Sequence, residues 1–302
     1  MGIVFIEKMV AVALTNGLAN RMFQFAFGVG LKSQGIKVLY DKCHYKPRSY
    51  QTWELVELTD PFPNIDIKYT HSLDFVLSFP GFVRGSRYFA KIFEFLNLEN
   101  VYVEKSFAYI PDIIDKIKGN TLFYGHWQTE QYFHDCADMV RKQFVFLPFS
   151  EEKNIQCSLK MRKEESVAIH VRKGKDYYRW KSTHGICEKD YYLRAVNYIK
   201  EVVKAPIFYV FTDNPQWVEE NFTEVDYTLV DWNPVKGKYN FRDMQLMSCA
   251  KHNIIANSTY SWWGAWLNNN PNKVVIAPKK WVNGVEKHLI DIDIIPEGWI
   301  KI

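Results

Sequence analysis

An apolar run from Met9 to Leu14 (MVAVAL) opens the readable pattern and predicts a strand. A polar turn, Asn16 to Asn20, follows. From about Ala19 to Gln34 the apolar positions Met22, Phe25, Ala26, Val29 and Leu31 recur at helical spacing, and Gly35 is a stop signal. Lys37 to Tyr40 reads as the next strand, which makes a βαβ opening. From Cys43 to Asn120 the pattern is irregular and rich in aromatics, proline and charge. Thr121 to Trp127 (TLFYGHW) then reads as a strand and EQYFHDCADMVRKQF as a helix.

Pro148 to Asn154 (PFSEEKN) reads as a domain junction, and beyond it the alternation is regular. Strand SVAIHV precedes helix KDYYLRAVNYIKEVVK, and IFYVFTD precedes PQWVEENF. DYTLVDW precedes NFRDMQLMSCAKH, NIIAN precedes SWWGAWLNN, and KVVIAP closes the series. Five strands alternating with four helices predict a doubly wound parallel α/β sheet.

Length permits two domains, with boundaries expected at 1–150 and 151–302. A net charge of +4, without a basic run, suits an anionic small molecule and argues against nucleic acid. Five widely spaced cysteines without a CxxC pair argue against a disulfide framework or a zinc site, and for a reducing compartment. The N-terminal stretch is interrupted by Glu7 and Lys8, and is read as two short strands, not a signal peptide. No run reaches the ~18 apolar residues of a membrane span. A cytoplasmic protein with at most peripheral membrane contact is therefore expected.

The chemistry concentrates at Ser166–Asp176, SVAIHVRKGKD. A buried strand ending in His170, Arg172, Lys173 and Lys175 delivers cations to a sheet edge, where such folds bind ligands. Arginine's planar fork matches a phosphate. A second anion-friendly feature is the helix start at Ser258, Thr259 and Ser261, where hydroxyls, free N–H groups and the helix dipole combine. Asp243 can accept from the N1–H and amino group of guanine, a donor pair that adenine lacks. The Walker pattern is absent, and Gly28, Gly30 and Gly35 lie inside the first helix with the wrong spacing for a dinucleotide loop. Asp291 and Asp293 imitate a metal-binding DxD, but the alternating LIDIDII around them reads as a half-exposed strand.

These segments resemble the family of α-1,2-fucosyltransferases found in bacteria and related to the animal enzymes that make the H antigen. GLANRMFQFAF (Gly17–Phe27) is similar to the family's opening GLGNQMFQYAF, and HVRKGKDYY to its HxRRGDY, with one extra residue before Asp176. HGICEKDYY, FTDNPQWVEENF, RDMQLMSCAKHNIIANSTYSWWGAWLN and VIAPKKW are similar to the later motifs. The resemblance implies a GT-B fold, two Rossmann-like domains around a cleft, the first on the acceptor side. It implies GDP-L-fucose as donor, no metal, inversion of configuration, and a galactose-terminated oligosaccharide or glycolipid as acceptor. Arg172 is then expected on the pyrophosphate, His170 and Asp243 on guanine, and Ser258 and Thr259 on phosphate. Lys173, Asn257 and Ser261 complete the expected donor set. Asn20 is expected to reach the donor from the N-terminal half, and Asp176 is the possible base, although Lys173 and Lys175 would keep its pKa low. A different nucleotide sugar, or a non-catalytic glycan-binding role, are the competing readings.

Overall fold

A computed structural model describes residues 9–42, 56–70, 101–174, 185, 187–282 and 293–302. They form two compact units, one within Met1–Val145 plus Asp291–Ile294, the other within Phe146–Ile290 plus Ile295–Ile302.

Among the described residues the first unit carries five parallel strands: β1 (Met9–Ala13), β2 (Lys37–Asp41), β3 (Tyr69–Thr70), β4 (Val101–Val103) and β5 (Thr121–Tyr124). Their order is β3-β2-β1-β5-β4. Helix α1 (Leu18–Ser33) joins β1 to β2 and is buried over most of its circumference, as its near-continuous apolar sequence requires. Gly28 and Gly30 serve packing. A Cβ on Gly28 would stand 2.8 Å from the Tyr40 ring, and one on Gly30 would overlap the Tyr132 carbonyl oxygen. Gly35, at φ +82°, ends α1 in the left-handed conformation open to glycine.

The second unit carries β6 (Ser166–Val171), β7 (Ile207–Thr212), β8 (Tyr227–Val230), β9 (His252–Ile254), β10 (Val275–Ala277) and β11 (Ile300–Lys301). All pairings are parallel, in the order β11-β10-β9-β6-β7-β8. Counted within the sheet this is 3-2-1-4-5-6 read from the β8 side, the order of a dinucleotide-binding fold. Every residue of β6 is buried, in keeping with a central strand covered on both faces. One layer of its core joins Val167, Ile169 and Val171 to Tyr192, Val196 and Ile199 of α4 (Lys189–Val202).

Several elements differ from the sequence reading. The strand expected over Thr121–Trp127 ends at Tyr124, because Trp127 turns to φ +55°. The helix expected from Glu130 breaks into two 3₁₀ turns, Glu130–Tyr132 and His134–Cys136, before α2 (Ala137–Gln143). A polar helix, α3 (Glu152–Lys163), was not anticipated; its apolar content is too low to show periodicity. Pro148–Asn154, read as a junction, lies inside the second unit. Arg242 fastens it, donating to the Pro148 carbonyl, to Ser150 Oγ and to Glu151. β11 adds a sixth strand. Asp293 lies outside any strand and accepts from the Tyr109 backbone N–H at 2.9 Å; Asp291 lies outside the described residues, as does the first of the two N-terminal strands. Cys136, Cys157, Cys187 and Cys249 are free and buried, and no helix among the described residues is long and apolar enough to cross a membrane.

Candidate functional site

In the second unit the chain runs from β6 through β7 to β8 on one side, then returns to β9 beside β6 and continues outward to β10 and β11. The carboxyl ends of β6 and β9 therefore form a topological switch point, where open α/β sheets bind ligands. Two parts of the sequence-predicted set meet there. His170 and Arg172 sit at the end of β6; Ser258 and Thr259 start α7 (Thr259–Trp266) after β9.

Arg172 is 27% exposed and pairs with Asp213 at the end of β7, Nη1 to Oδ2, at 2.6 Å. The other Asp213 oxygen accepts from the Lys173 backbone N–H at 2.6 Å. One carboxylate thus fixes both the side chain of Arg172 and the backbone that carries it. Asp213 lies in FTD, a segment that counts as strand by its apolar residues; only its place at the carboxyl end of the strand next to β6 signals its role.

Lys173, expected in the donor set, is engaged within the protein. Its side chain is buried, its ammonium bonds Glu188 at 2.8 Å, and it lies 4.3 Å from the Trp217 ring centroid. It braces the loop below Arg172. Asn257 and Ser261 also bond within the protein. Asn257 is buried and donates to the carbonyls of Trp281 and Gly185, and buried Ser261 donates to those of Ser258 and Ala256. Ser258 and Thr259 are part-exposed at the helix start, and the Ser258 hydroxyl makes no capping bond.

His170 is buried, and its Nδ1 has no hydrogen-bond partner among the described residues. Burial, with the adjacent Arg172 charge, lowers its pKa to about 3, so the ring is neutral. A buried ring nitrogen without a partner is a position that a ligand can satisfy. Its neighbour is Tyr260, centroids 5.8 Å apart. The Tyr260 hydroxyl donates to the Asn240 carbonyl at 2.6 Å and accepts from the Met244 N–H at 2.9 Å, tying α7 to the start of α6 (Arg242–Met247).

Asp243 sits in that first turn of α6. Enclosure raises its carboxyl to about pKa 7, opposed by a 2.8 Å bond from Asn233 Nδ2. Asn233 is held by Asn154, buried on α3, whose Oδ1 also accepts from Trp232 Nε1. Asp243 and Arg172 both act electrostatically on Tyr260, which places the three in one neighbourhood. Asp213, Tyr260, Asn233 and Asn154 are members of this site that the sequence reading missed. A separate open groove of about 730 Å³ lies against α3 and the β7–β8 edge, lined by Lys153, Lys160, Tyr209 and Trp232, and holds none of the predicted residues.

Asn20 belongs to the first unit, where its Oδ1 accepts from Gln128 Nε2 at 2.9 Å. Asp176 and Lys175 lie outside the described residues.

The profile of "Glycosyl transferase family 11" matches residues 90–302. The chain belongs to glycosyl transferase family 11. An Escherichia coli α-1,2-colitosyltransferase is 33% identical to it over 98% of this chain and 99% of the relative. The E. coli O-antigen biosynthesis glycosyltransferase WbnK is 30% identical over 96% and 99%. The human galactoside α-(1,2)-fucosyltransferase 1 is 24% identical over 45% of this chain and 40% of its own length. Among solved structures, an Arabidopsis thaliana FUT1 variant in complex with GDP superposes with a TM-score of 0.51 at 13% identity, covering 89% of this chain and 70% of that one. This family-11 glycosyltransferase therefore has an α/β fold of parallel sheets, with structural likeness to a fucosyltransferase.

Proposed function

We propose that this family-11 protein transfers L-fucose from GDP-L-fucose to O2 of a terminal galactose, with inversion and without a metal. The observation that carries the reading is the meeting of Arg172 and the start of α7 at the β6/β9 switch point. A guanidinium and a helix N-terminus converging on one sheet edge fit a diphosphate. The enclosed carboxyl of Asp243 and the Nδ1 of His170, which has no partner among the described residues, supply an acceptor and a polar contact suited to guanine. The donor set is thus Arg172, His170, Asp243, Ser258 and Thr259, in a GT-B arrangement of two Rossmann-like domains near the 1–150 and 151–302 boundaries, with Asn20 contributing from the first. The protein would act in the cytoplasm with at most peripheral membrane contact.

In the reaction the acceptor oxygen attacks C1 of fucose opposite to GDP. Negative charge grows on the β-phosphate as the C1–O bond breaks. Arg172, prepositioned by Asp213, and the N–H groups at the start of α7 are aimed at that charge, where fixed donors lower a barrier most.

A second donor is favoured by the 33% identical relative named as an α-1,2-colitosyltransferase. Colitose is fucose without its 3-hydroxyl, so one missing hydrogen bond would separate the two. The test is donor screening with GDP-L-fucose and GDP-colitose against a panel of β-galactosides, reading the linkage by NMR. Transfer from neither donor, or a product linked other than α-1,2, overturns the proposal. Full loss of activity in EDTA, restored by Mn²⁺, would overturn its metal-independence.

A further inference from the structure

Helix α3 presents one exposed stripe, Glu152, Lys153, Gln156, Leu159, Lys160 and Lys163, whose spacing of three and four residues is that of a single helix face. All six line the open groove of about 730 Å³ between α3 and the β7–β8 edge. The floor of the groove follows from strand alternation. Phe208 and Val210 of β7, and Tyr227 and Leu229 of β8, pack on the core shared with α4. Tyr209 and Thr228, which lie between them, therefore turn to the opposite face and line the groove. β8 is the edge strand of the sheet, and among the described residues it pairs with β7 alone. Trp232, just beyond β8, completes the lining and is fixed by a 2.8 Å bond from its Nε1 to Asn154 Oδ1.

The groove is apolar along its floor and cationic at its rim. Lysine stems cover apolar surface while their ammonium groups stay in water. The Lys153 ammonium lies 5.8 Å from the Trp232 ring centroid. The carboxylates around the stripe are engaged within the protein. Glu152 accepts from Gln156 Nε2 at 2.7 Å, Glu164 from the Tyr209 hydroxyl at 2.8 Å and Glu151 from Arg242 Nε at 3.2 Å, while Glu165 faces His252 Nε2 at 3.5 Å. Lys160 stands 3.9 Å from Glu164, a contact that solvent screens. Leu159, among these lysines, is 49% exposed. A second apolar and basic pairing follows Trp232, where Val235 is 51% exposed and Lys236 beside it is exposed. The helix dipole accounts for basic residues in the last turn of α3. It does not account for Lys153 in the first turn, or for an exposed leucine and an apolar groove beside them.

Lys153 and Lys163 stand ~15 Å apart along one helix, too far to converge on a single phosphate. Cations spread over that distance match a surface of repeated anions. We infer that this face docks on a bilayer surface carrying anionic phospholipid. The lysines meet successive headgroup phosphates, and Leu159, Tyr209 and Trp232 take up an acyl chain in the groove. Charge complementarity and apolar burial are the two contributions that hold a helix at a membrane interface. The inference stands on α3, β7, β8 and the residues just beyond β8, all within the second unit, and is independent of which sugar the protein transfers.

The test is sedimentation of the full chain with lipid vesicles. With about one part phosphatidylglycerol to three of phosphatidylcholine at low salt the protein should pellet, and added salt should release it. With phosphatidylcholine alone it should stay in solution. Lys160→Gln combined with Lys163→Gln should weaken partition about 25-fold, roughly fivefold for each lysine at an anionic surface. Leu159→Gln leaves the charge unchanged and should weaken it about fivefold. Lys116 and Lys118 are exposed lysines of the first unit, and their paired change to glutamine removes the same charge elsewhere. That pair should alter partition by less than about threefold. All these positions are exposed, so the variants should melt with the parent. Failure to bind the anionic vesicles, or equal binding to phosphatidylcholine alone, overturns the inference. Equal loss in the two lysine pairs overturns it in favour of diffuse charge, and binding unaffected by Leu159→Gln in favour of a simple polyanion.

Discussion

Asp213 holds Arg172 by a 2.6 Å contact and, through its second oxygen, the backbone N–H of Lys173. Arg172 is partly exposed, so the pair adds little to stability by itself. Its value is orientation: a guanidinium on a mobile stem is held where the donor phosphate charge would develop. Arg172→Ala should lose at least ~100-fold in kcat/KM. Asp213→Asn keeps one acceptor oxygen but not the charge. It should lower kcat about tenfold while leaving KM for the acceptor unchanged. Steady-state kinetics on folded variants decide this; near-parental turnover in Arg172→Ala would remove Arg172 from the mechanism.

On the proposed donor site, the Asp243 carboxyl, raised to about pKa 7 by its enclosure, should make GDP binding depend on pH. Guanine N–H donors need the ionised form and lower its pKa in the complex. Binding therefore releases a proton below pH 7, and affinity rises with pH up to about 7 and levels beyond. Calorimetry from about pH 5.5 to 8.5 should show this slope in the parent. Asp243→Asn should bind more weakly, lose the slope and discriminate less against ADP. A parent slope that survives in Asp243→Asn would assign the proton elsewhere, including the nucleotide itself.

Much of the second unit was legible because its strands are buried on both faces and read as continuous apolar runs, SVAIHV and IFYVFT above all. The switch-point residues His170, Arg172 and Ser258 were legible for the same reason, since strand ends mark the sheet edge. What escaped was set by partners distant in sequence. Nothing local distinguishes Lys173, which Glu188 and Trp217 capture, from a phosphate ligand. Asn257 and Ser261 look like helix-start ligands until their carbonyl partners are seen. α3 was missed because it buries Asn154, Cys157, Ser158 and Met161, a face without apolar periodicity. Asn154 holds Asn233 and thereby Asp243, a relation that spans about eighty residues and no motif.

Arg242 is buried and bridges the segment before α3 to α6, with bonds to Pro148, Ser150, Glu151 and Gln245. Arg242→Met keeps the stem but leaves Gln245 and the Pro148 carbonyl with fewer partners. Because Glu151 is 41% exposed, its ion pair is screened, and the loss comes mainly from the hydrogen bonds. A destabilisation of about 2 kcal/mol is expected in urea unfolding. It should be accompanied by weaker GDP binding, because Asp243 adjoins Arg242. A variant as stable as the parent would mean the segment is held by other contacts.

His170 provides the opposite pH signature to Asp243. Its folded pKa of about 3 lies below the unfolded value of about 6.5, so the unfolded chain binds the proton first as pH falls. The neutral ring's contribution is complete above the unfolded value and is lost progressively as pH falls toward 3. Asp243 is raised instead, so its contribution is complete below the unfolded carboxylate value and is lost as pH rises through about 7. The two windows overlap and their slopes oppose each other, so His170→Asn should leave stability falling as pH rises toward about 7, and Asp243→Asn should leave it rising with pH up to about 6.5. GDP should raise Tm in both proteins, and by less at acid pH because Asp243 must ionise to accept from guanine; with guanine on the His170 Nδ1, which has no partner among the described residues, the rise should be smaller in His170→Asn. Thermal melts from about pH 4 to 8, with and without GDP, separate these outcomes. An equal GDP-induced rise in Tm in parent and His170→Asn would show that the nucleotide does not use this ring.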